Sequence, residues 1–398
     1  MGMPVRDDDG RRQERSPVAE WSRAVVLIEP RTVELRTFPT PGIGPDEGLL
    51  QIEACGICGT DYEQYLGDVP KQPYYTPYPV VLGHEPLGII AAIGARASER
   101  WGVRVGDRVA VRTGYGCGRC EACRRFQAHR CPSRGGTYGF TDVGTPPFLW
   151  GGYADYMYLS PYSAVCKVRP DIPAQIAVMF NPLAAGLSWA RSVPQTRPGE
   201  QVVILGPGQR GLCAVVAARE AGAGKIVVTG LTRDRHKLAL ARELGADIVI
   251  DAEREDVVEA VREATGGGAD VIVDTTPLAT EPVAQAIAVA ARRARIVLAG
   301  LKGRRATRDV FADDIIYKEL RILGTLSTLY DDFVAAIGLI ESGKYPLEKL
   351  HTHSFALEEA EEALQTLAGL RPDQSAIQVA IVPSRRPGPA APNLKSRG

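Results

Sequence analysis

The sequence carries no excess of charge of either sign: Lys plus Arg number 47, Asp plus Glu number 47, and the formal net charge is zero. That balance excludes nucleic acid or an anionic membrane surface as the main partner, because both call for surplus basic groups. It leaves room for a local basic pocket that takes a single phosphate. No uninterrupted apolar run approaches the roughly 18 residues of a membrane-spanning helix. The charged opening MGMPVRDDDGRRQERSP also lacks the apolar stretch of a secretory signal. The cytoplasm is therefore the expected compartment. There is no internal repeat. With 45% apolar and 24% charged residues in 398, the composition excludes wholesale disorder and suits two or three domains.

What is present changes character along the chain. Residues 1–20 mix Asp, Arg and Glu without apolar period, and 385–398 are rich in Pro and basic groups, so both read as disordered tails. Over 21–182, short runs such as AVVLIE, LLQIEACGI, LGIIAAIG and DRVAVRT are separated by Gly and Pro, which predicts a β-rich domain. Over 183–325 the apolar strands QVVILG, KIVVTG, DIVID, DVIVDTT and RIVLAG alternate with helical stretches. That rhythm predicts a doubly wound α/β domain with a parallel sheet covered on both faces. The strand RIVLAG (295–300) reads as the sheet edge, and 326–384 reads as a return to the first domain.

Gly206, Gly208 and Gly211 in VVILGPGQRG form G-x-G-x-x-G between a strand and a helix. In that context the first glycine permits a tight turn, the second admits a pyrophosphate at the helix N-terminus, and the third allows close packing. Arg210, inside the loop, is positioned to face the pyrophosphate. An acid that would hold the adenosine ribose is expected near the end of the next strand. Gly230 stands there instead, followed by Arg233 and Arg235. Guanidinium groups in that place favour NADP(H) over NAD(H), with NAD(H) left open.

Cys117, Cys120, Cys123 and Cys131 lie together in CGRCEACRRFQAHRC, a density that suits one tetrahedral, structural zinc in a lobe at 113–135. Redox disulfides are disfavoured in the cytosol. Cys166 and Cys213 read as core residues. Cys55 and Cys58 form a C-x-x-C, but on a strand end in a β-rich domain, which is a poor setting for thioredoxin-like redox chemistry.

The segments CGICGTD (55–61), GHEPLG (83–88), VGDRVAV (105–111), the four-cysteine lobe, GGYADY (151–156) and GPGQRG (206–211) follow one another in this order. The set resembles the zinc-dependent alcohol dehydrogenase branch of the medium-chain dehydrogenase/reductase family, from about residue 24 to 384. The resemblance implies a GroES-like catalytic domain joined to a Rossmann cofactor domain, in a homodimer or homotetramer. It implies Cys58 and His84 as catalytic zinc ligands and Glu85 as an acid behind the metal. It makes Thr60 a proton relay and Asp61 the carboxylate that orients His84. Ala299, within RIVLAG, and Leu301, just after it, join the cofactor-contacting positions.

Two positions depart from the family pattern. Asn181 stands where the third ligand, Cys or Glu, would fall, and Glu63 stands where the relay often ends in a histidine. Recruitment of Glu85, loose zinc binding and loss of catalytic zinc all remain open. The leading expectation is a zinc-dependent oxidoreductase that passes hydride between a nicotinamide and an alcohol or polyol, or its ketone or aldehyde. A reductase without catalytic zinc, acting on an activated C=C or C=O bond, is the second. A cofactor-binding protein without turnover is the third. The substrate is a small molecule whose identity lies in loops, where Tyr65, Phe148 and Trp150 are candidate pocket walls.

Overall fold

A computed structural model describes residues 18–67, 78–125, 127–133, 136–371 and 376–383. Apart from residues 18–20, the tails expected at 1–20 and 385–398 lie outside them. Among the described residues no helix is long and apolar enough to cross a membrane.

The strands form three sheets. A small antiparallel sheet places Trp21–Glu29 between Thr32–Pro39 and Val80–Val81. The main sheet of the β-rich part runs His351–Phe355, Gln378–Ile381, Gly48–Gly56, Glu85–Ile93, Arg108–Val111, Val165–Lys167, and Tyr156–Leu159 also pairs with Gly48–Gly56. The C-terminal segment therefore returns to extend the first sheet. Its strand Gln378–Ile381 pairs antiparallel with Cys55 and Gly56, beside the first metal-site motif.

The third sheet is parallel, in the order Ile248–Asp251, Lys225–Gly230, Gln201–Leu205, Ala269–Asp274, Ala290–Leu298, Arg321–Gly324. Its inner strands Gln201–Leu205, Lys225–Gly230 and Ala269–Asp274 are mostly apolar and buried because both faces are covered. Val202 and Ile204 enter the core shared with the helices Phe180–Leu187 and Gln209–Glu220. Val203 and Leu205 enter the opposite core, with the helices Val257–Thr265 and Glu281–Val289. The chain order reverses between Gln201–Leu205 and Ala269–Asp274, the switch point where such sheets bind ligands. One expectation needs correction. Residues 295–298 belong to an inner strand, and the edge is the exposed Arg321–Gly324.

Helix Phe180–Leu187 couples the two parts, and every one of its residues is buried. A Cβ on Gly186 would lie 2.4 Å from the backbone of Cys213, so only glycine lets this helix cross Gln209–Glu220 so closely. It continues into a wider, π-helical turn, Ser188–Ser192. That turn is fixed by buried Asp332, whose carboxylate accepts from Ser188 Oγ at 2.8 Å, Arg191 Nη2 at 2.7 Å and Ser192 Oγ at 2.7 Å. Asp332 lies in the first turn of helix Tyr330–Ser342, where the helix dipole favours negative charge. Asp332→Ala orphans three donors at once and is expected to destabilise the fold by about 2–4 kcal/mol in denaturant titration. A loss no larger than that of an ordinary surface substitution would contradict this role.

Candidate active site

Strand Gly48–Gly56 runs into a short link and then helix Gly59–Leu66, whose N-cap is Cys58. The cap is built from the metal-site motif itself. Cys58 Sγ accepts from the backbone N–H of Thr60 at 3.5 Å, and the Cys58 N–H donates to Asp61 Oδ2 at 2.8 Å. The other carboxylate oxygen, Oδ1, lies 3.0 Å from His84 Nδ1. Asp61 is fully enclosed. It fixes the imidazole so that Nε2 faces the cluster. Cys58 Sγ donates to Thr60 Oγ1 at 3.5 Å. Glu63 is half-buried on the same helix.

Glu85 starts the strand Glu85–Ile93 opposite Gly56. A Cβ at Gly56 would fall 2.5 Å from Glu85 Oε2, so the glycine makes space for a carboxylate in the core. Glu85 Oε1 lies 4.0 Å from His84 Nε2, while Oε2 is buried with no hydrogen-bond partner among the described residues. Asn181 arrives from the buried helix Phe180–Leu187. Its Nδ2 donates to Thr113 Oγ1 at 3.1 Å, and that hydroxyl donates to the His84 carbonyl at 2.9 Å. This chain of bonds turns Asn181 Oδ1 towards the cluster.

Arg210 departs from expectation. Instead of facing a pyrophosphate, its Nη2 sits among the cluster atoms, 3.1 Å from Cys58 Sγ, 3.2 Å from Glu85 Oε1 and 3.4 Å from Asn181 Oδ1. Its guanidinium lies over the Trp189 ring at 5.4 Å, a cation–π contact. The neighbouring Gln209 Nε2 reaches the Ile57 carbonyl at 3.4 Å. The sequence holds a signal for this placement. Arg210 shares a helical face with Cys213, Ala214 and Ala217, all fully buried.

Charge in the cluster is mutually adjusted. Burial raises the Glu85 pKa, opposed by Arg210 and then His84, and the net shift is upward. Burial pulls His84 down, but the charge and hydrogen bond of Asp61 carry it well above its ordinary value. Arg210 loses to burial and gains more from Cys58 and Glu85, so it stays charged.

Cys58, His84 and Glu85 offer sulfur, nitrogen and oxygen ligand atoms within 4.8 Å of one another. With the unmet Glu85 Oε2, that donor set fits a three-ligand zinc site of catalytic type. The second group of ligand atoms within 4.8 Å is Cys117, Cys120, Cys123 and Cys131. Cys117 is lowered to about 6 by the backbone N–H groups of Arg119 and Cys120, and Cys123 is raised to about 12 chiefly by burial. Four sulfurs this close, enough to fill a tetrahedral shell, suit a structural zinc.

At the switch point, Gly206 has φ +99°. A Cβ on Gly211 would lie 1.9 Å from the Gly206 carbonyl oxygen, which makes this glycine a packing requirement. Gly208 is exposed at the N-cap of helix Gln209–Glu220, with N–H groups behind it. Ala299 N–H donates to Asp274 O at 3.0 Å, and the Leu301 carbonyl accepts from Leu278 N–H at 2.8 Å, beside the loop. Sequence reading missed the support beneath them: fully buried Asp274 pairs with Lys302 at 2.7 Å. Gly230 is buried, and a Cβ there would meet Pro207 Cγ at 2.7 Å, so packing alone excludes an acid. Arg233 and Arg235 are both exposed.

Two of the three candidate pocket walls are packing residues. Tyr65 is buried and donates to Glu361 Oε1 at 2.5 Å. Trp150 is buried among Tyr115, Tyr138 and Tyr158 and donates from Nε1 to the Thr145 carbonyl at 2.8 Å. Phe148 holds a loop position with φ +76°.

Comparison with known proteins agrees with this architecture. Residues 44–170 match the alcohol dehydrogenase GroES-like domain, and residues 211–342 match the zinc-binding dehydrogenase domain. The chain is 46% identical to a probable alcohol dehydrogenase of Mycobacterium tuberculosis, over 91% of this chain and 98% of that one. It is 33% identical to an erythritol/L-threitol dehydrogenase of Mycolicibacterium smegmatis, over 92% and 99%. Among solved structures, an alcohol dehydrogenase of Thermotoga maritima superposes with TM-score 0.80 at 25% identity, over 92% and 100%. A candidate zinc-binding dehydrogenase of Sinorhizobium meliloti bound to NADP gives 0.78 at 27%, over 92% and 100%.

Proposed function

The chain belongs to the zinc-type medium-chain dehydrogenase/reductase family, and from that premise we propose that it oxidises a secondary alcohol or polyol with NADP+, or reduces the matching carbonyl. The observation that carries the reading is the convergence of Cys58, His84 and Glu85 at the end of the dinucleotide loop. Relatives that act on alcohols and polyols support the substrate class. Cys58, His84 and Glu85 would hold zinc, whose chemistry there would be Lewis-acid polarisation of the reacting oxygen, and the dinucleotide loop would hold the nicotinamide cofactor that would accept or donate the hydride. Asp61 holds the proton on His84 Nδ1 and leaves Nε2 for the metal. Thr60 Oγ1, beside Cys58 Sγ, passes the substrate proton outward, with Glu63 on the same helix as the acceptor further out.

The exposed pair Arg233 and Arg235, after the strand Lys225–Gly230, supports NADP(H) over NAD(H). A second reading, a reductase that works without catalytic zinc on an activated C=C or C=O bond, is favoured by one observation, the Arg210 guanidinium among the ligand atoms. The exposed apolar side chains Phe311, Ile316 and Tyr317, just before the edge strand Arg321–Gly324, and Ile322 within it support a homo-oligomer.

Kinetics on a panel of secondary alcohols and polyols test the reading. Thr60→Ala is expected to lower kcat by about 10²-fold or more while zinc content holds; full activity in the folded variant would remove the relay. Arg233→Ala with Arg235→Ala should raise KM for NADP+ by about tenfold and leave NAD+ unaffected. Equal effects on both cofactors would contradict the assignment.

A further inference from the structure

Arg210 and Asn181 are 29 positions apart in the chain, yet the two side chains meet at 3.4 Å inside the candidate metal site. Each is odd for a zinc cage taken alone: a neutral amide where a charged ligand is expected, and a cation where the metal should lie. Together they are complementary. The amide oxygen is a good acceptor for a guanidinium and a weak ligand for zinc. Its orientation is set from behind by Thr113, so Oδ1 faces the cluster.

The guanidinium is also built in. Nη2 contacts Cys58 Sγ, Glu85 Oε1 and Asn181 Oδ1 at 3.1, 3.2 and 3.4 Å, and Trp189 covers the group on one side. Trp189 is in turn held by the π-helical turn that Asp332 fixes. The backbone of Arg210 is pinned by Gly211, which packs on the Gly206 carbonyl. An arginine cannot give up its charge in these surroundings. The lone pairs that accept its N–H groups are those a metal ion would need.

We propose that Arg210 is a resident cation of the Cys58–His84–Glu85 cage and competes with zinc for it, so that metal and guanidinium hold the cage alternately. The inference rests on reading that cage as the catalytic metal site. It assigns Arg210 as a positioning residue that sets metal occupancy. Catalytic zinc is then exchangeable, in contrast to zinc held by the four sulfurs of the cysteine lobe.

The test is zinc release to a chromophoric chelator from full-length wild type, Arg210→Gln and Arg210→Leu, each loaded with zinc. The lobe supplies a slow phase that reports intact folding in the same sample. The cage phase should be slower by about tenfold or more in both variants than in wild type, because the competing charge-assisted bonds are gone. Equal cage phases in all three proteins would overturn the competition and leave the metal-cage reading standing. Absence of any second zinc in wild type and variants alike would overturn both. A measurement on wild type alone stands independently of how the variants fold: adding zinc must raise the phenylglyoxal reactivity of Arg210, read by peptide mass spectrometry. Unchanged reactivity on filling the second site would overturn the proposal.

Discussion

Two carboxylates, Asp61 and Glu85, are fully enclosed at the junction of the two domains, and buried negative charge must be answered by positive charge or by hydrogen bonds. Asp61 is answered on both oxygens, by the Cys58 N–H and by His84. Glu85 is answered on one oxygen, by Arg210 from the cofactor domain, and its other oxygen has no hydrogen-bond partner among the described residues. The surroundings follow from this demand. Gly56 makes the space, Cys58 caps the helix that brings Asp61, and helix Phe180–Leu187 brings Asn181 while it joins the domains. The cage is completed across the domain junction, so the dinucleotide loop and the metal ligands form a single electrostatic unit.

Much of this was legible in the residues because the chemistry is local. Four cysteines within fifteen residues, CGRCEACRRFQAHRC, bring their sulfurs together through short turns, and the ligand atoms lie within 4.8 Å. The Gly206–Gly211 loop was readable because a strand before it and a helix after it leave few conformations open. The alternation of apolar strands with helices likewise announced a parallel sheet, since only burial on both faces calls for that pattern.

The failures concern relations between distant parts of the chain. Arg210 looked like a phosphate ligand because loops are read along the sequence, whereas its direction is set by helical phase against Cys213 and Ala217. The strand at 295–300 looked like an edge because Arg321–Gly324, four residues long and mostly exposed, carries little apolar signal. Tyr65 and Trp150 looked like pocket walls because both are aromatic and sit between motifs; their hydroxyl and indole N–H instead meet internal partners. Gly230 carried a meaning about the cofactor that packing against Pro207 supplies by itself.

On the proposed competition, one cation at a time satisfies the cage, and the two departures at Asn181 and Arg210 are two halves of that arrangement. Anomalous diffraction at the zinc absorption edge, from crystals of the full chain grown with excess zinc, tests it most directly. A peak is expected at the four-cysteine lobe in every molecule. At the cage a peak is expected only where the Arg210 guanidinium has left Cys58, Glu85 and Asn181. A cage peak of full height with Arg210 still bonded to those three side chains would contradict it.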